Sequence, residues 1–274
     1  MSDPPKIYAL FGDTLAHPLY AVMLNAAFVA AGVKWPYVPF RATPETLPDL
    51  FARLRRDGLA GANFVAPCEE AAAALCDGLS PDAAALGAVD TARCARNSAE
   101  GFKLDVYAFA RSLDEFGINV AGKTVLVLGV GPAGRSCGLA LERGGAAVTY
   151  AASDVTRPRP GISSQATVIR MEDVPRFLAV KKPTAVTASD GPGDPALLPS
   201  IVDALPPEAS VFDVNCGPRT DLLEAVEARG LRHFDGFSML LYKVGLTFEM
   251  WTGLETPLDA MRRAAAAELA GRES

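Results

Sequence analysis

The chain has 274 residues, half of them hydrophobic and 21% charged, with a formal net charge of −6. That length supports two modest domains, each with its own core, while the acidic balance argues against a nucleic-acid partner and no apolar run approaches the ~18 residues of a membrane span. Residues 1–6 lack the basic and apolar regions of a secretory signal, the five cysteines show no Cys-x-x-Cys spacing, and His17 and His233 fall in no metal motif, so the expectation is a cytoplasmic protein with reduced thiols, no metal centre and no histidine-based triad.

In chain order, residues 6–12 form an apolar run that predicts a strand closed by a turn at Gly12. Leu19, Val22, Met23, Ala26, Phe28 and Val29 predict a helix over 17–32, at whose start His17 is expected to pack rather than react. Residues 35–40 read as a second strand, 43–58 as a helix, and 61–67 as a third strand stopped by Pro67. Short helical elements are expected over 68–77 and 80–87. Residues 89–95 and 101–105 read as extended pieces joined by a polar turn over 96–100.

A helix over 105–116 leads into the stretch that organises the second half. Residues 125–128 are an apolar, β-branched run expected to be a buried parallel strand. It runs into Gly129, Gly131, Pro132, Ala133 and Gly134, and then into a helix over 132–143. Strand, glycine turn and helix together give the G-x-G-x-x-G pattern its meaning. One glycine makes the tight turn, one lets a pyrophosphate approach the backbone, and one lets helix and strand pack, with the helix N-terminus facing the anion. Strands at 147–151, 166–170, 184–189, 210–215 and 231–234 alternate with helices at 172–180 and 220–230, implying a parallel sheet with helices on both faces. Two helices, 238–252 and 257–270, close the chain without further strands. They are expected to pack back on the first domain, with the cleft between domains as the binding site. The fold class is thus α/β: residues 1–105 with 237–274 as a substrate-binding domain, and 106–236 as a Rossmann-type, doubly wound dinucleotide-binding domain.

Several motifs in order resemble the shikimate dehydrogenase family, over residues 8 to 269. Gly12 through His17 and Asn25 resemble its first strand, turn and helix; Gly61, Asn63, Pro67 and Glu70 its G-x-N-V-T-x-P-x-K-E segment; and Gly87 to Thr91 its G-A-x-N-T. Gly101 and Asp105 match the ends of G-x-N-T-D, and the glycine loop is similar to the family's. Asp213, Pro218, Thr220 and Leu223 resemble D-x-x-Y-x-P-x-x-T-x-L-L, and 235–240 with Trp251 resemble D-G-x-x-M-L…W. The resemblance implies hydride transfer between NAD or NADP and a small hydroxylated, shikimate- or quinate-like acid.

The departures fall on the family's polar substrate positions. Its carboxylate-binding serines are Pro18 and Tyr20 here, and the threonine of N-V-T is Val65. The catalytic lysine is Glu69, and the asparagine of G-A-x-N-T is Asp90. Lys103 and Leu104 precede the retained Asp105, Cys216 stands for the tyrosine of the D-x-x-Y segment, and Lys243 for a glutamine on the penultimate helix. An ionised Glu69 repels an alkoxide, but it can serve as base, or as acid if burial raises its pKa. Residues two apart on an extended segment share a side, so Lys103 and Asp105 are expected to face one cleft, Lys103 replacing the lost lysine. The alternatives are that Lys103 reaches water along its stem and that Glu69 starts an exposed helix. Tyr20, Val65, Asp90, Cys216 and Lys243 are the substrate candidates. Lys243 is suited to an anionic group, while the acids alternatively suit an amino group. A packed thiol is the expectation for Cys216.

For the cofactor, Ser153 and Asp154 follow the second strand of the dinucleotide domain, and Asp154 stands 20 residues past Gly134, where an acid takes the ribose hydroxyls of NAD. Arg157 and Arg159 offer a phosphate contact instead, and Ser189 lies where the nicotinamide site is expected. NAD is slightly favoured over NADP. The partner is a small-molecule substrate, and the chain is expected to be a monomer or homodimer. Two rival readings are a non-catalytic dinucleotide sensor and an enzyme of changed chemistry such as imine reduction.

Overall fold

The structure is a computed structural model and describes residues 6–13, 18–95, 97–156, 159–164, 166–188, 194–216 and 219–271. The chain divides into two compact units, Met1–Leu104 with Leu240–Ser274, and Asp105–Met239.

The first unit begins with β1 (Ile7–Gly12), α1 (Pro18–Ala30), β2 (Tyr37–Arg41), α2 (Leu47–Arg56) and β3 (Leu59–Phe64). β1 lies between β2 and β3 and is parallel to both. Then come α3 (Glu69–Ala73), β4 (Gly78–Leu79), α4 (Pro81–Leu86), β5 (Thr91–Ala95) and β6 (Ser98–Phe102). β5 is antiparallel to β3 and β6, giving the sheet order β2-β1-β3-β5-β6-β4. Phe11, Phe51 and Phe64 form the heart of one core, with Phe11 centroids 6.0 Å from Phe51 and 5.6 Å from Phe64. Burying each such ring is worth about 1.5–3 kcal/mol.

Two expectations are corrected in this region. The helix starting near Cys68 closes at Ala73 rather than running to residue 77. The segment 98–100 is strand rather than turn, because Cys94 pairs with Ala99 and Ala95 with Ser98, and cross-strand pairing outweighs polar composition. β6 therefore ends at Phe102, Lys103 and Leu104 lie beyond it, and Asp105 is the first residue of α5 (Asp105–Glu115). The alternation rule that aligned Lys103 with Asp105 does not apply to this geometry.

The second unit continues from α5 through β7 (Thr124–Leu128), α6 (Pro132–Arg143), β8 (Ala147–Ala152), β9 (Thr167–Arg170), α7 (Val174–Lys181), β10 (Ala185–Ala188), α8 (Leu198–Ala204), β11 (Ser210–Asp213), α9 (Asp221–Ala228) and β12 (Arg232–Phe234). All six strands are parallel in the order β12-β11-β10-β7-β8-β9. This is the doubly wound arrangement, whose strand order reverses between β7 and β10. The helix α8, unanticipated in the sequence, carries buried Ile201 and Val202 into the core beneath the sheet. α6 packs unusually close to β8: a Cβ on Gly138 would sit 2.1 Å from the Tyr150 hydroxyl.

The chain returns to the first unit through α10 (Phe237–Thr252) and α11 (Leu258–Ala270). The Trp251 indole donates to the Ala92 carbonyl at 3.1 Å, and its ring centroid lies 4.5 Å from that of Tyr8. Gly61 admits this ring, since a Cβ there would stand 2.5 Å from Trp251 Cε2. α11 packs along α1.

Candidate active site

The polar interior of the first unit gathers at the ends of β3 and β5 and along α10. Asn63, at the end of β3, is wholly buried. Its Oδ1 accepts from the Tyr37 hydroxyl at 2.9 Å, and its Nδ2 donates to Thr91 Oγ1 at 3.0 Å and to Thr247 Oγ1 at 3.4 Å. Burial and the nearby Tyr20 push the Tyr37 phenol well above its ordinary pKa, so it remains a donor. Thr247 is one helical turn past Lys243 and also contacts the Tyr20 hydroxyl at 3.3 Å. This network ties β2, β3, β5, α1 and α10 together.

Beside it lies a charged row. Lys103, whose side chain is fully buried, donates to Glu69 Oε1 at 2.6 Å and stands 3.4 Å from Asp90 Oδ2. Asp90 Oδ1 accepts from Thr91 Oγ1 at 2.8 Å and from the Leu104 amide at 3.0 Å. Lys243 Nζ lies 4.0 Å from Asp90 Oδ2 and 5.8 Å above the Tyr20 ring centroid. Buried charges persist only when paired and hydrogen-bonded, and Glu69, Lys103 and Asp90 meet that requirement. Two sequence alternatives are thereby overturned: Lys103 does not reach water, and Glu69, though it opens α3, is buried.

The structure thus brings together Glu69, Lys103, Asp90, Lys243 and Tyr20. Val65 is buried just past β3, its amide bonded to the Phe11 carbonyl at 2.9 Å, and it joins none of these polar contacts. Asp105, buried at the start of α5, falls in the second unit. Asn63, Thr91, Thr247 and Tyr37 are not singled out by the sequence as site residues. Asn63 and Thr91 stand within the matched motifs, and Thr247 follows Lys243 by four residues on a helix, the spacing that puts two side chains on one face.

In the second unit, Gly129 has φ 102°, which only glycine adopts without strain. Gly131 is the N-cap of α6 and Pro132 stands in its first turn, with no side chain capping the end. Backbone N–H groups at the start of a helix this long suit a pyrophosphate. Asp154 lies beyond β8, and its Oδ1 accepts from the Thr156 amide at 2.8 Å and hydroxyl at 2.6 Å. Arg159 Nη2 reaches the Asp154 carbonyl at 3.5 Å, and Arg159 Nε is buried without an acceptor among the described residues. The local architecture therefore fits a dinucleotide. Arg157, Ser189 and His17 lie outside the described residues. Burial, reinforced by Asp235, pushes the Cys216 thiol up to about 12, which makes it a packed thiol rather than a nucleophile. Among the described residues no acidic, cysteine and histidine cluster could hold a metal ion, and no helix is long and apolar enough to cross a membrane.

Comparison with known proteins places this architecture. Residues 10–92 match the family model of the shikimate dehydrogenase substrate-binding domain. A shikimate dehydrogenase (NADP(+)) of Geobacter metallireducens is 33% identical, over 96% of this chain and 97% of its own. The crystal structure of shikimate 5-dehydrogenase from Thermus thermophilus in complex with NADP(H) and shikimate superposes with a TM-score of 0.81 at 27% identity, covering 96% of this chain and 99% of that one. The Listeria monocytogenes shikimate 5-dehydrogenase in complex with shikimate and NAD gives 0.79 at 25% identity, covering 94% and 96%. These relatives bind NAD or NADP and lend no support to the lean toward NAD. An N-terminal substrate domain, a Rossmann-type dinucleotide domain and full-length similarity make this chain a member of the shikimate dehydrogenase family.

Proposed function

We propose that the chain is an NADP-preferring dehydrogenase of a small hydroxylated, shikimate- or quinate-like acid, with Lys103, Asp105 and Glu69 as its catalytic residues. The observation that carries this reading is the position of Lys103: an ammonium buried beside Glu69, the residue that the family resemblance sets at the catalytic lysine's place. A charge lost at position 69 is supplied from position 103.

In the oxidative direction, the substrate hydroxyl faces Lys103. Its proton passes to Lys103 as Lys103 hands its own to Glu69 Oε1, 2.6 Å away. Glu69 keeps a tenth of its side-chain surface exposed and releases the proton to water. Asp90, anchored by Thr91 and Leu104, fixes Lys103 between the two carboxylates. Such positioned proton transfer contributes about 10²–10⁴-fold to rate. Asp105 is assigned to orient the substrate hydroxyl. The dinucleotide supplies the hydride acceptor or donor, and residues 129–134 would hold its pyrophosphate. Arg159, with its buried Nε, suits the 2′-phosphate that distinguishes NADP. A cytoplasmic location belongs to the same proposal.

The test is turnover of shikimate and quinate with each dinucleotide, followed by the absorbance of the reduced nicotinamide, in the wild type, Lys103→Met and Asp105→Asn. The expected result is activity in the wild type and its loss in both variants. Dinucleotide binding with no turnover of either acid overturns the proposal, as do wild-type rates in both variants.

A further inference from the structure

We infer that Arg135 is the positioning residue of the glycine loop: its guanidinium pins the Val130 carbonyl and so fixes which way the peptide group between Val130 and Gly131 faces a diphosphate. This rests on the reading of residues 129–134 as the pyrophosphate-holding loop and adds the side chain that orders it.

The loop needs such a device. Val130 stands between two glycines, whose backbones rotate more freely than those of other residues. Gly129 has φ 102°, and Gly131 has φ −65° with ψ 176°. A peptide group is planar and trans, so its carbonyl and its N–H point in opposite directions. Which end of the group between Val130 and Gly131 meets an anion therefore decides between attraction and repulsion. Arg135 Nη1 donates to the Val130 carbonyl at 3.1 Å. That bond draws the oxygen toward the guanidinium and directs the Gly131 N–H away from it.

Arg135 is well placed to hold this bond. It stands in the first turn of α6, and its own amide donates to the Gly131 carbonyl at 2.9 Å, so one residue secures two successive carbonyls of the loop. Ser136 Oγ secures the next, donating to the Pro132 carbonyl at 2.8 Å. The Arg135 side chain is buried, with 3% of its residue surface exposed. A guanidinium stays charged and carries five donors, so the bond to Val130 is charge-assisted and leaves donors for the residue's other contacts. α6 carries no acid in its first turn that would compete with a bound anion. A loop ordered before the ligand arrives loses less entropy on binding it.

The experiment measures binding of NAD, NADP and ADP by calorimetry, and of adenosine, which lacks the phosphates, by NMR titration, in the wild type, Arg135→Met and Arg135→Lys. Arg135→Met should weaken all three diphosphates about 10–100-fold, the worth of a lost charge-assisted hydrogen bond, and leave adenosine nearly unchanged. Arg135→Lys keeps one charged donor and should recover part of the loss. Hydrogen exchange of the dinucleotide-free protein gives a second readout, which decides should Arg135→Met fail to fold. In Arg135→Lys, exchange over residues 129–136 should quicken while β7 and the rest of α6 keep wild-type rates, whereas a merely structural arginine would loosen α6 and β7 together. The inference is overturned if Arg135→Met binds the diphosphates as tightly as the wild type, if adenosine loses as much as ADP, or if exchange quickens throughout α6 and β7. A wild type that binds none of the three diphosphates overturns the reading of the loop itself.

Discussion

Lys103 Nζ and Glu69 Oε1 meet at 2.6 Å, joining an ammonium with no exposed side-chain surface to a carboxylate that keeps 10% of its own. Burial of both partners makes this a paired charge held in a fixed geometry. If the proposed roles hold, stability and activity depend on the same two groups.

Lys103→Met should therefore be costly. It leaves Glu69 and Asp90 facing one another without the ammonium that neutralises them, and breaking a buried pair from one side costs about 3–5 kcal/mol. Replacing both partners, as in Lys103→Met with Glu69→Leu, should recover part of that loss while activity stays absent. Urea unfolding of the two variants checks this. Equal stability of the single and double variants would show that the pair is not energetically buried.

Arg159→Ala should weaken NADP binding about 10–100-fold and leave NAD binding nearly unchanged, because a guanidinium recognises the 2′-phosphate and has no comparable partner on a ribose hydroxyl. Titration of both dinucleotides into the wild type and the variant reads the difference. An equal loss for both would move the phosphate contact elsewhere.

Gly138→Ala tests the close approach of α6 to β8. The new methyl would lie 2.1 Å from the Tyr150 hydroxyl and 2.4 Å from its Cε1, so helix or ring must move. Overpacking of this kind costs about 1–3 kcal/mol. Because α6 begins at the glycine loop, dinucleotide affinity should fall as well. Adding Tyr150→Leu should return stability toward that of the wild type, whereas Tyr150→Phe should not, since the ring carbon Cε1 would itself stand only 2.4 Å away.

The parts of the fold legible in the sequence are the continuous apolar run of β7 and the long closing helices, and α6, which spans Pro132–Arg143, is legible because proline and glycine mark its start. α8 is hidden because seven residues containing a proline carry too few apolar positions to show a period. β6 reads as a turn because Ser98, Ala99 and Glu100 extend only through pairing with β5. The departures from the family pattern locate Glu69, Asp90, Lys103 and Lys243, but not their order in space. The Asn63–Thr247 contact joins residues 184 apart in sequence, and no local pattern predicts such a meeting.

The cysteines predict an alkaline limit to stability. Burial raises Cys68 and Cys76 from the ordinary thiol value of 9.0 to about 11, and Cys94 and Cys216 to about 12. In the folded protein these thiols stay protonated above pH 9, whereas in the unfolded chain they ionise. The unfolded state then binds fewer protons, so stability is intact below about pH 9 and falls as pH rises toward 11–12. Urea midpoints between about pH 8 and about pH 11 should decline, and Cys94→Ala should flatten the decline. A flat profile in the wild type would show that these thiols are not desolvated.

The Asn63 network gives the last prediction. Its amide accepts from Tyr37 and donates to Thr91 and Thr247, all deep in the first unit. Asn63→Leu removes both functions at once and strands the Tyr37 hydroxyl, so a loss of about 2–3 kcal/mol is expected. Tyr37→Phe removes only one donor and should cost about 1 kcal/mol. In the double variant the stranded hydroxyl is gone, so its loss should be smaller than the two single losses together, a coupling of about 0.5 kcal/mol or more. The catalytic readout should follow the same order. Thr247 positions the turn of α10 that carries Lys243, and Thr91 anchors Asp90, so loosening Asn63 disturbs the Asp90–Lys243 part of the charged row. KM for the acid should rise more in Asn63→Leu than in Tyr37→Phe. Additive stabilities, or unchanged kinetics in a folded Asn63→Leu protein, would separate this network from the charges beside it.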